Sequence, residues 1–297
     1  MPTISQLSPK TKGLFIVLMG VIAISFDALL IRLANTTNGN IIFWRGIFMF
    51  VSLFLVNSFL KQDQVFKNLK NKGALAIGSA FSYGLGGVLF VSAIMFTKVA
   101  NAVVIISISP LFAAMLTWLF GIEKIPARTW LAIVFTICGV ITVFYGSLQT
   151  GGFYGNLIAL AAALNIGSNL TLLRQNTWLD PLPLVCVGGI IMALLSAPFA
   201  QPLSLNVQGF LILGFMGLVQ MPTALVLIGT STRYLPSPEV SLFLLIETVF
   251  APIWVWLFLG ESTPVLTFLG GGIIIITLIL HFWSGMQATK QEPQIRS

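Results

Sequence analysis

Charge is scarce in this chain. Only 8% of its 297 residues are Asp, Glu, Lys or Arg, where an ordinary soluble domain carries roughly a quarter. So little charge cannot cover a water-facing surface, and with 57% apolar content the surrounding solvent must be largely lipid. Histidine occurs once, at His281, and cysteine twice, at Cys138 and Cys186, both inside apolar runs and neither at metal-ligand spacing. These absences exclude a disulfide framework and leave too few soft ligands for a zinc or iron centre, so no cofactor is expected. No GxxxxGK[ST] loop is present, so direct ATP drive is not indicated. An intramembrane enzyme needs a His/Asp, Ser/His or metal constellation at one depth, and His281 stands alone near the end of a run, so catalysis is not expected. The net charge of +7 does not indicate nucleic acid, because the basic residues sit at the ends of apolar runs and form no soluble face.

What the chain does have is long apolar runs. A bilayer core needs about 20 such residues per helix. Breaks at charge, Pro and Gly predict spans at 13–33, 40–60, 74–96, 100–120 and 127–147, then at 152–174, 181–199, 209–232, 238–259 and 263–284. The seventh, bracketed by Pro181 and Pro198 with Gly188–Gly189 inside, is the shortest. The first run follows Lys10 and Lys12 but lacks a small-residue cleavage site, so it reads as an uncleaved span. Short connections leave no room for a soluble domain, and residues 285–297 read as a disordered cytoplasmic tail.

Lysine and arginine set the direction. With the N-terminus inside, twelve of them fall in cytoplasmic segments, including the cluster from Lys61 to Lys72, Lys124, Arg128, Arg174 and Arg233. Only Arg32, Arg45 and Lys98 fall in the outer half, where Arg32 and Lys98 read as snorkelling to the interface. An even span count then puts both termini in the cytoplasm of a cell whose inner membrane holds the chain. Losing one span would mix the two sets.

The chain also repeats itself. WLFGIEKIP, from Trp118 to Pro126, is echoed by WLFLGESTP, from Trp256 to Pro264; Trp118, Glu123 and Pro126 recur 138 positions later as Trp256, Glu261 and Pro264. With an offset of 142, the end of span 1 through Arg32 falls near the end of span 6 through Arg174. The expected fold is therefore all-α and integral to the membrane: ten transmembrane helices as two inverted five-helix repeats, 13–147 and 152–284, around a central cavity. Five is odd, so the two copies enter the membrane in opposite directions. That arrangement is a signature of alternating-access transporters with a site near the midplane.

The halves resemble paired EamA-type units of the drug/metabolite transporter superfamily. The matching features are Arg32 at the end of span 1, Phe43-Trp44-Arg45-Gly46 at the start of span 2, and Pro110 in span 4. The Glu-x-x-Pro loops at Glu123 and Glu261 match too, each followed by a glycine-bearing helix (Gly139; Gly270-Gly271-Gly272). The resemblance implies a basket of spans 1–4 and 6–9 around the cavity, with spans 5 and 10 peripheral, moving small metabolites such as amino acids. Thr248 stands where the first half has Pro110, so the halves are not expected to move identically.

An intramembrane acid costs about 2.5–3.5 kcal/mol on insertion scales and calls for a reason. Asp27 in span 1 and Glu247 in span 9 are two such acids, and each can carry a coupling proton or meet a substrate ammonium group. Arg45 reaches the depth of Asp27, at about 1.5 Å per residue, so a structural Asp27–Arg45 pair competes with a substrate role; Glu247 has no basic residue at its depth. Asn165, Ser168 and Asn169 share one face of span 6, and Asn169 is the repeat mate of Asp27; interhelical hydrogen bonding competes with substrate contact there. Tyr83-Gly84-Leu85-Gly86-Gly87 in span 3 matches Met221-Pro222 in span 8, preceded by Gln220, which predicts paired helix breaks at Gly84, Gly86, Gly87 and Pro222. Close packing and a simple kink are the competing accounts. Pro110 frees a backbone carbonyl, and Trp44 is kept as a candidate because it adjoins Arg45.

The expected function is efflux of a small amino acid or amine-like solute by alternating access, with the bilayer, the solute and a coupling proton as partners and a monomer sufficient. Import or exchange is the alternative; a passive channel or an intramembrane enzyme ranks below both.

Overall fold

The structure, a computed structural model, describes residues 9–61, 65–120, 127–148, 152–261 and 265–291. Among these, all regular structure is helical. That is the expected outcome in lipid, where a spanning backbone must satisfy its own N–H and C=O groups. The helices are α1 (Pro9–Ile24), α2 (Asp27–Leu33), α3 (Asn38–Lys61), α4 (Val65–Phe96), α5 (Val99–Ile106), α6 (Ser109–Leu119) and α7 (Ala127–Leu148). They continue as α8 (Phe153–Gln175), α9 (Pro181–Ser196), α10 (Val207–Phe215), α11 (Met221–Ser231), α12 (Ser237–Phe243), α13 (Leu245–Leu259) and α14 (Val265–Gln291). Among the described residues, eight segments are long and apolar enough to cross a membrane: Pro9–Leu33, Asn38–Phe59, Gly73–Phe96, Val99–Leu119, Phe153–Gln175, Pro181–Phe199, Val207–Ser231 and Glu239–Leu259. They fall on the first four and on the sixth to ninth of the spans read from the sequence. The helices α7 and α14 hold the shorter apolar stretches Val134–Val143 and Val265–Thr277.

The core is apolar as in a soluble protein, but the surface is not a soluble protein's. Phe59, Tyr154 and Phe199 lie on the outside, while Asp27, Arg45, Asn101 and Asn156 are enclosed. Large apolar groups that water would drive inward here face hydrocarbon, while several polar groups are kept from it. The enclosed polar groups staple helices together. Thr97 Oγ1 donates to Asn156 Oδ1 (3.0 Å), Ser82 Oγ to Asn165 Oδ1 (2.9 Å) and Ser79 Oγ to Asn169 Oδ1 (2.7 Å), and the last two hold α4 against α8 along its length. Elsewhere backbones approach directly. A Cβ on Gly46 would lie 2.6 Å from the Gly189 carbonyl, and one on Gly139 would lie 2.8 Å from that of Gly270, so α3 crosses α9 and α7 crosses α14 only because side chains are missing there.

Three spans are broken at mid-depth. The first stops between α1 and α2 at Ser25–Phe26, the fourth between α5 and α6 at Ser107–Ile108, and the ninth between α12 and α13 at Leu244. At the first two breaks a serine turns back on its own helix: Ser25 Oγ donates to Ile22 O (2.8 Å) and Ser107 Oγ to Val104 O (2.6 Å). Such local bonds compete with the helical ladder and bend it. Pro110 then occupies the first turn of α6, where its missing N–H costs nothing.

The break predicted in the third span is corrected by the structure. The helix α4 runs unbroken through Gly84, Gly86 and Gly87, and its only non-helical residue is Gly73 at φ +69°. The glycines make room for neighbours instead: a Cβ on Gly84 would meet the Gly188 carbonyl, and one on Gly87 would meet Met192 Sδ. The eighth span does deform, through a π-helical stretch at Met216–Gln220 just before Pro222. A proline at 222 cannot donate to the Leu218 carbonyl, and Ser52 Oγ of α3 donates to that carbonyl instead, at 2.6 Å.

Candidate functional site

A cavity of about 100 Å³ lies among α1 to α5, α8, α11 and α13. Most of its wall is apolar, with Ile24, Phe90, Ile166 and Leu225 among the lining residues, and the polar groups converge on it from few directions. Asp27 opens α2 and Glu247 stands in the first turn of α13, so each carboxylate sits just past a break at the positive end of a helix segment. Among the described residues, none of α7, α9 or α14 lines this cavity.

Asp27 and Arg45 meet. Arg45 Nη2 is 3.0 Å from Asp27 Oδ2, and both side chains are enclosed, at 1% and 0% exposure. The contact is an ion pair without hydrogen-bond alignment, and Arg45 Nε and Nη1 have no hydrogen-bond partner. Gln220, whose Nε2 donates to Ala23 O at 3.0 Å, holds its amide beside the Asp27 carboxyl without lining the cavity. Glu247 lies close enough to feel the charges of both Asp27 and Arg45, yet its Oε1 is buried with no hydrogen bond. The Tyr83 hydroxyl is likewise buried without an aligned bond, against Gly229 of α11. Burying polar groups without partners is costly, and here several such groups face one hollow.

The other candidates sort by these contacts. Asn165 and Asn169 line the cavity, but each is engaged across to α4; Asn165 also donates to Ser82 O at 2.9 Å. Ser168 Oγ turns back to Leu164 O and leaves the face its neighbours share. Gly86 and Gly87 line the cavity, whereas Gly84, Pro110 and Pro222 are buried in helix contacts beside it. Trp44 is corrected. Neighbours on a helix point about 100° apart, so with Arg45 turned inward Trp44 faces sideways. It stacks on Phe48, packs edge-on against Phe210 and donates through Nε1 to Pro202 O (3.3 Å), which anchors the 197–206 connection. Arg32 has partners of its own. Its Nε lies 3.4 Å from Glu261 Oε2 and its Nη2 donates to Thr97 O (3.0 Å), while Glu261 Oε1 caps α5 by accepting from Val99 N (3.1 Å). Arg174 similarly donates to the Thr232 carbonyl, at 3.2 Å. Glu123, Pro126, the tail beyond Gln291 and the side chains of His281 and of the Lys61–Lys72 cluster lie outside the described residues. Among the described residues no group of His, Cys, Asp and Glu is arranged to hold a metal ion.

Sequence reasoning missed the breaks at Ser25–Phe26 and at Leu244, which aim Asp27 and Glu247 inward. The serines at 25 and 107 are the one signal it had, and a mid-span serine reads equally well as an ordinary interhelical donor.

Apolar helices enclosing a hollow on which a few polar groups converge, with apolar side chains outward, define a multi-pass membrane protein. The sequence profile of the EamA-like transporter family matches residues 11–145 and again 153–283. The chain belongs to the EamA-like transporter family, within the drug/metabolite transporter superfamily. It is 25% identical over 183 residues to YdfC, an uncharacterized transporter of Bacillus subtilis (strain 168). That match spans 59% of this chain and 59% of the relative. A solved crystal structure shares the fold at a TM-score of 0.70 over 93% of this chain and 98% of that one, at 12% identity.

Proposed function

We propose that the chain is a secondary carrier that exports a small solute bearing an ammonium group, an amino acid or amine, through alternating access of two inverted five-helix halves. In this reading ten helices span the inner membrane, α7 and α14 complete the two sets of five, and both termini are cytoplasmic. One monomer suffices, because one chain holds both halves.

The observation that carries the reading is Glu247. It is a buried carboxylate on the central cavity, and Arg45, which reaches it where the sequence predicted no base, is already paired with Asp27. A carboxylate kept from lipid and left without its own cation is a place for a cationic group to arrive. A proton can occupy the same place when the solute leaves, which supplies a coupling ion. The cavity sets a scale for the solute. An apolar hollow of roughly 150 Å³ admits a benzene ring, so about 100 Å³ suits a compact head group in this conformation.

Counterflow in proteoliposomes tests the reading: amino acids and amines are loaded inside, and uptake of a labelled panel is followed across a set pH difference. Saturable, trans-stimulated flux that disappears in Glu247→Gln is the expected result. Linear flux would indicate a channel. Unchanged transport and unchanged pH dependence in Glu247→Gln would remove that carboxylate from the mechanism.

A further inference from the structure

A second recess lies on the outside of the helix bundle, between α5, α13 and α14. It holds about 650 Å³ and is lined by Val104, Pro252, Trp256, Phe268 and Gly272, with Thr248 on its inner wall. In a chain surrounded by hydrocarbon, an apolar recess with Trp256 and Phe268 on its exposed rim opens to lipid tails. Thr248 also lines a small hollow of about 10 Å³ together with Val103, Phe90, Leu244 and Glu247. Of these, Phe90, Leu244 and Glu247 line the central cavity too. Groove and hollow thus share Thr248 as a wall, and hollow and cavity share Glu247, whose Oε1 is buried without a hydrogen bond.

The wall between groove and cavity is thin and weakly held. Thr248 Oγ1 donates to Val103 O at 3.3 Å, bridging α13 to α5. One turn on, Pro252 lies inside α13 and cannot donate to the Thr248 carbonyl, so the helix is softened beside that bridge.

We infer that groove, hollow and cavity make up a side passage from the bilayer to Glu247, and that it seats the alkyl tail of an amphipathic amine whose ammonium group meets the carboxylate. An apolar slot ending in a buried carboxyl group matches that ligand better than it matches a neutral lipid. From Thr248 to Trp256 the slot runs about 12 Å along α13, at about 1.5 Å per residue, the length of a medium alkyl chain. The inference rests on the reading of Glu247 as a cation site and adds a tail-binding groove and a route of entry to it.

The test reads binding rather than transport, so the two can fail separately. Protein in nanodiscs is titrated with octylammonium carrying a terminal bromine, a quencher of tryptophan, with bromo-octane as the tail without a head. The expected result is saturable quenching by the amine that is absent in Trp256→Phe. Gly272→Phe abolishes it, because a side chain there grows into open space and fills the groove without disturbing packing. Glu247→Gln weakens it by about tenfold or more, as loss of a charged partner does. Quenching that survives Gly272→Phe, that ignores Glu247→Gln, or that bromo-octane reproduces in full overturns the passage and leaves a plain lipid groove. Quenching as expected without amine counterflow supports the groove and removes the carrier reading.

Discussion

Two helix pairs meet near the cavity, and they are held in opposite ways. The helix α8 packs against α4, and α1 against α11. The α4–α8 pair is continuous through mid-depth and stitched by amides and hydroxyls at Asn165–Ser82 and Asn169–Ser79. The α1–α11 pair is closed by small residues: a Cβ on Gly20 would lie 2.9 Å from Ile228 Cγ1 and 3.1 Å from the Ala224 carbonyl. Where α1 gives way to α2, a charged pair replaces the amide. In the sequence Asn169 follows Asp27 by 142 positions, so one register carries an anion on one side and a neutral acceptor on the other. Neutral stitching needs no break and no counterion. The charge comes with both, and the break is where the cavity opens.

That contrast can be broken most forcefully at Arg45. Arg45→Met leaves Asp27 buried without its cation and is expected to cost about 3–5 kcal/mol, seen as a collapsed melting temperature in detergent. The Asp27→Leu/Arg45→Met double variant is expected to recover most of it; a double variant as unstable as the single would show that the pair is not the cause. Next comes Asn169→Asp, which puts the acid on the side that lacks a cation and is expected to destabilise by about 2.5–3.5 kcal/mol. An unchanged melt would mean that α8 tolerates charge as readily as α2, and the contrast would vanish. Gly20→Leu forces α1 from α11 and is expected to cost about 1–3 kcal/mol by the same measurement. The smallest effect is Ser79→Ala, which removes the donor to Asn169 Oδ1 and is expected to cost about 0.6 kcal/mol. A loss several times larger would make the stitches cooperative rather than independent.

Hydropathy alone located the eight apolar spans, because twenty apolar residues with one or two charges have few other uses. Depth arithmetic paired Asp27 with Arg45 across two helices, since rise per residue is nearly constant. What stayed hidden depends on rotation and on neighbours. Trp44 and Arg45 adjoin in sequence but diverge around the helix axis. Gly84–Gly87 carries the same letters whether a helix breaks or another helix leans on it, and only Gly188 and Met192, a hundred residues away, decide for packing. The break at Leu244 has neither proline nor glycine to announce it. The EamA-type resemblance named the family from short motifs; the contact of Arg32 with Glu261 lay outside its reach because it joins opposite ends of the chain.

The ion pair between Asp27 and Arg45 also bears on how the chain enters the bilayer during synthesis. Its members are separated by 18 positions, and the acid emerges first. Until the next helix follows, the first carries an unneutralised carboxylate, a burden of about 2.5–3.5 kcal/mol against partitioning into lipid alone. The favoured unit of insertion is therefore the hairpin of α1, α2 and α3, delivered together so that anion and cation leave water in company.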